Sequence, residues 1–102
     1  MTTFKNEKYG AEITLPEITG LTWTRYWAAR FENAATDHGG RVNPGEVLAE
    51  QIAGLQAIAE VAVYVRDGKT RKLDMDAPLD LLRWAAQVVD DYLYSLTRVP
   101  KN

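Results

Sequence analysis

The sequence predicts a mainly α domain: a three-helix bundle preceded by a short extended or β-hairpin N-terminal arm. Apolar residues recur at three- and four-residue steps through most of residues 22–98, the spacing of a helix with one buried face. Helix-start residues and proline precede these stripes, and glycine and proline interrupt them. The chain has 102 residues, 46% of them hydrophobic, which is enough for one core and too few for two. A single domain is expected over 1–102, with the arm at 1–20 and helices at 22–38, 43–66 and 77–98.

Residues 3–15 carry no helical period. Asn6-Glu7-Lys8-Tyr9-Gly10 has the composition of a turn, and Ala11-Glu12-Ile13-Thr14-Leu15 alternates as a short strand does, ending at Pro16. A two-stranded hairpin alone is marginal in water, so the arm is expected to lie on the helices or join a partner's sheet. In the first helix Thr22 is placed as N-cap, with Leu21 and Tyr26 as a hydrophobic staple. Trp23, Trp27, Phe31 and Ala34 share one face and are expected in the core, and Gly39-Gly40 ends the helix.

The second helix has Asn43 as cap, Pro44 at the first helical position and Glu46 completing a capping box, with Val42 and Val47 as a second staple. Leu48, Ile52, Leu55, Ala59 and Ala62 form its stripe. Val61 to Val65 is rich in β-branched residues, and Asp67-Gly68 is a favoured hairpin dipeptide. The stripe nevertheless continues through Ala62 and the run does not alternate. The expectation is a helix ending near Arg66, with Gly68 as its cap. The third helix has Pro78 in its first turn and runs through Leu81, Leu82, Ala85, Val88, Val89, Tyr92 and Leu96, until Pro100 stops the chain's helical path. Asp80, Arg83, Gln87, Asp90 and Asp91 fall on the opposite, solvated arc.

Composition narrows the function. Twelve basic against fourteen acidic side chains give a net charge of −2. The densest basic cluster, Lys69, Arg71 and Lys72, is followed at once by Asp74 and Asp76, so a nucleic-acid partner is not expected. There is no cysteine, hence no disulfide and no thiolate metal site. Residues 47–65 are the longest apolar-rich stretch, but Glu50, Gln51, Gln56 and Glu60 interrupt it, so no membrane span is expected. The first residues have no apolar run of the secretory type, and a cytoplasmic location is expected.

No catalytic residue, metal site or cofactor is expected. His38, the single histidine, sits at a predicted helix end, where a cation favours the terminal carbonyls. Ser95 is the single serine and lies within a predicted helix, so no serine–histidine–acid set forms. Gly68-Lys69-Thr70 resembles the end of a phosphate-binding loop, but Val63 stands where that loop needs glycine. Asp74, Asp76 and Asp80 lack the glycine and the glutamate of a calcium loop and suit a helix N-terminus instead.

The ten aromatic side chains divide under helical projection. Trp23, Trp27, Phe31 and Tyr92 lie on predicted core arcs, Tyr26 lies at the edge of its stripe, and Tyr64, Trp84 and Tyr94 fall off theirs. Exposed tryptophan and tyrosine bury much area on binding while losing little entropy. Tyr26, Tyr64, Trp84 and Tyr94 are therefore the predicted protein-binding residues, and packing between the helices and the arm is the alternative for each.

The layout resembles a known family. An extended acidic arm leads through Leu15-Pro16-Glu17-Ile18-Thr19-Gly20-Leu21-Thr22 into an aromatic-bearing helix. A middle helix and a Pro-initiated last helix carrying Trp84 follow, and the chain ends Val99-Pro100-Lys101-Asn102. This is similar to the small tail assembly chaperones of tailed bacteriophages and prophages, whose members often carry tryptophan where this chain has Tyr64. The resemblance spans nearly the whole chain through short motifs. It implies a non-enzymatic virion-assembly helper in the host cytoplasm that binds a tape-measure or tail-tube protein. The alternative is a general helical adaptor or a homo-oligomer whose interface uses Trp84.

Overall fold

Alternation in Ala11–Leu15 places Ala11, Ile13 and Leu15 on one side of a strand, and all three are fully buried. That strand is central. The computed structural model describes residues 1–32 and 44–96, and among these the order is β1 (Thr2–Asn6), β2 (Ala11–Leu15), α1 (Gly20–Glu32), α2 (Pro44–Ile58), β3 (Val63–Arg66), β4 (Lys69–Arg71) and α3 (Leu79–Ser95). The four strands form one antiparallel sheet in the order β1-β2-β3-β4. Ile13 stands opposite Phe4 on β1 and Tyr64 on β3, so one face of the sheet is apolar. The other face carries the exposed Lys5–Glu12 ion pair at 3.7 Å and the Thr3–Thr14 hydroxyl bond at 2.8 Å, each a small contribution in water.

The apolar face packs under the helices. α3 buries Leu81, Leu82, Ala85, Ala86, Val89 and Leu93, a stripe at helical spacing. Leu55 and Ile58 of α2 and Tyr26 of α1 complete the core with the sheet residues. Phe4 of β1 meets Tyr92 of α3 edge to face, with ring centroids 6.0 Å apart. Among the described residues no helix is long and apolar enough to cross a membrane.

This α+β arrangement corrects the expected three-helix bundle with a short arm. The first twenty residues are half of a sheet, and residues 63–66, expected in the second helix, are its third strand. The helix stops at Ile58, whose carbonyl accepts bonds of 3.1 Å from the N–H groups of both Val61 and Ala62. Tyr64 then points inward while Val63 is exposed. Both faces of β3 carry apolar side chains, so its period of two is invisible in composition, and a short apolar run has no periodic mark separating helix from strand. The hairpin dipeptide was the informative signal. Asp67 and Gly68 both have positive φ, 53° and 77°, the two-residue turn whose twist matches antiparallel strands, and Arg66 pairs with Lys69 across it.

The two hairpin turns also meet. The Asp67 N–H donates to the Gly10 carbonyl at 2.9 Å, and a Cβ on Gly10 would lie 2.8 Å from the Asp67 carboxylate. The α1 cap is Thr19 instead of Thr22: its Oγ1 accepts from the Thr22 N–H at 3.2 Å, and the helix begins at Gly20. α3 begins at Leu79, with the Pro78 carbonyl accepting from Leu81 and Leu82. The Asn43–Glu46 capping box, the glycine pair at 39–40, His38 and Pro100 lie outside the described residues or side chains.

Candidate functional site

α1 presents two adjacent stripes, one helical step apart. Tyr26 and Arg30, four residues apart, point inward, whereas Trp23, Trp27 and Phe31 point to the side. Tyr26 has no exposed surface, while Phe31 is 77% exposed and Trp23 37%. Of the side chains expected to build the core from α1, Trp23 and Phe31 are thus turned toward solvent and Trp27 is half-buried against the core, while Ala34 lies outside the described residues. The charged Arg30 joins Tyr26 on the inner side.

Arg30 holds that position through charge. Its Nη2 lies 2.8 Å from Glu50 Oε1 on α2, and its Nη1 donates to Asp90 Oδ1 on α3. The Tyr26 hydroxyl donates to the same Asp90 oxygen at 2.8 Å, and Gln51 Nε2 reaches Asp90 Oδ2 at 3.5 Å. One cation and two carboxylates from three helices therefore meet in a largely buried cluster. Such a cluster adds little stability over an apolar substitute of equal shape, but removing one member strands the rest. Burial, and then the hydrogen bond and charge of Asp90, push the Tyr26 phenol well above its ordinary value, and Arg30 opposes them. Gly54 lets α2 approach this point, since a Cβ there would stand 2.7 Å from the Tyr26 ring. Asp90, expected on the solvated arc, is instead an anchor. It continues the Leu82–Ala86 row at four-residue steps, and that spacing was the available signal.

With α1 fixed in this rotation, its outer stripe makes a groove. A concavity of about 430 Å³ is lined by Trp23, Thr24, Trp27, Ala28 and Phe31 of α1 and Tyr94 near the end of α3. Trp23 and Trp27 lie with ring centroids 6.0 Å apart, and Tyr26 meets Trp27 edge to face at 5.2 Å. Arg30 Cζ sits 5.2 Å from the Trp27 ring centroid, so the charge cluster braces the groove from behind. The Trp27 indole Nε1 is buried without an acceptor among the described residues.

Of the four predicted binding residues, the groove contains Tyr94, which is 57% exposed. Tyr26 and Tyr64 are buried, which corrects the exposure expected of them: Tyr26 is held by Asp90, and Tyr64 is the inward residue of β3. Trp84 is half-buried and packs against the core, away from the groove lining. Trp23 and Phe31 were missed as contact residues because hydrophobicity favours their stripe for the interior, and the charges that decide otherwise, Glu50 and Asp90, lie on other helices, Asp90 sixty residues from Arg30.

No protein-family model, curated protein or solved structure matches this chain.

Proposed function

We propose that the chain is a protein-docking factor that takes an apolar helical segment of its partner into the α1–α3 groove. The observation that carries this is the exposure of Trp23 and Phe31 beside the half-buried Trp27 while Arg30 lies inside. Exposing a row of large rings costs solubility, and contiguous apolar surface on a small domain is a usual mark of an interface. The groove floor is rigid because Tyr26, Gly54 and the charge cluster fix the helix behind it, so little is lost to ordering on binding. An amphipathic helix inserting apolar side chains at three- and four-residue steps suits this shape.

The resemblance in layout gives the proposal its specific form: a tail assembly chaperone that shelters a tape-measure protein, a long helical chain with apolar segments. The test is co-expression with a tape-measure protein from the same genome. The native chain should keep it soluble and co-purify with it, and a Trp23→Ser/Phe31→Ser variant with a native-like melt should not. Equal retention by that variant, or no complex with the native chain, would overturn this assignment.

A further inference from the structure

α1 also carries a row that neither the core nor the buried charge cluster uses. Leu21, Thr24, Ala28 and Phe31 follow one another at steps of three, four and three residues, the seam of a heptad pattern. All four are exposed, Leu21 by 61% and Phe31 by 77%. A heptad seam is shaped to meet another helix, and this one meets none within the chain's core. Thr24 and Ala28 are small, so a second helix can approach their backbone closely, and Phe31 is a knob for the hole beside them. The two flanks of the seam differ. Half-buried Trp27 stands on one. Exposed Arg25 and Glu32, seven residues apart, stand on the other, and neither joins an ion pair among the described residues.

We infer that a second copy of the chain packs its own α1 on this seam, antiparallel, about a two-fold axis. Charge complementarity selects this occupant. In an antiparallel two-fold pair the corresponding flanks of both helices lie on the same side and run in opposite directions. With Ala28 of each chain against the partner subunit's Phe31, Arg25 of each chain falls beside the partner subunit's Glu32. The symmetry supplies that opposite-charge pair twice. Sliding one copy by a heptad would set Arg25 against the partner subunit's Arg25, so charge fixes the register as well. A parallel pair suits the seam less well, because it places Trp27 opposite Glu32 and leaves Arg25 unmatched. Thr24, Ala28 and Phe31 also line the groove, so the dimer and a docked helix exclude each other. That exclusion rests on the docking proposal, whereas the dimer does not.

The experiment is sedimentation equilibrium of the full chain at low salt. One helix of 13 residues from each copy makes a small interface of the weak class, so the native chain should pass from monomer to dimer between about 5 and 500 μM. Arg25→Glu and, separately, Glu32→Arg set like charges side by side at both pairs, and each should weaken the dimer about tenfold. Both positions are exposed, so the two variants should melt as the native chain does. Mixed in equal amounts, they regain both opposite-charge pairs and should associate with near-native affinity as a heterodimer. Salt should weaken the native dimer and the mixture alike. A native chain that stays monomeric throughout, single variants that dimerise as the native chain does, or a mixture that stays monomeric would overturn the inference. A dimer that captures no tape-measure protein sinks only the docking assignment, and a monomer that captures one sinks only the dimer.

Discussion

At Gly54 two opposing effects can be weighed. Alanine is favoured over glycine within a helix by about 1 kcal/mol. The new methyl, however, would stand 2.7 Å from a Tyr26 ring that has no exposed surface and is held at its far end by Asp90. Such overpacking costs about 1–3 kcal/mol, so Gly54→Ala should be net destabilising in urea unfolding despite the better helix former. Tyr26 also links stability to pH. Its folded pKa is raised, so its contribution is fully present below the ordinary tyrosine value of 10.0. Above that pH the unfolded chain releases this proton while the folded one retains it. Stability should therefore fall as pH rises past about 10, by up to ~1.4 kcal/mol per pH unit from this group. Tyr26→Phe should flatten that slope, and denaturation curves at pH 9 to 11 would show it.

Among the elements, α1 makes the sharpest claim. If its hydrophobic stripe were the buried one, Phe31→Ala would cost about 3–5 kcal/mol. With that side chain 77% exposed, the cost should be within about 0.5 kcal/mol. Leu55→Ala, at a fully buried position of α2, should cost about 2–5 kcal/mol in the same assay. How far each element could be read from sequence depends on whether its instructions are local. The α3 stripe is local and strong, and so was the alternation of Ala11–Leu15. The path of β3 was legible in Asp67-Gly68 but was outweighed by an apolar run that suits either structure. The rotation of α1 was not legible, because Arg30, Glu50 and Asp90 declare their pairing only after three helices have met. The docking surface followed from that rotation, so Tyr94 was placed on it while the three rings beside it were assigned to the core.

For the molecule as a whole, the sheet sets a hierarchy of stability. β2 is paired on both edges and covered on one face, whereas β4 is short, exposed and paired on one edge. Native-state hydrogen exchange should show the Ile13 amide opening only with global unfolding and the β4 amides opening locally. Uniform protection across the strands would contradict this layering. The pairing of β2 with β3 has a further consequence for how the chain is made. Ile13 must wait for Tyr64, some fifty residues later, before its ladder closes, and for Val89 and its neighbours before its side chain is covered. A nascent chain leaving the ribosome therefore carries the β1–β2 hairpin with one edge unpaired and its apolar face uncovered until these segments are made. Final collapse is delayed until the last helix emerges, a folding order imposed by a long-range contact.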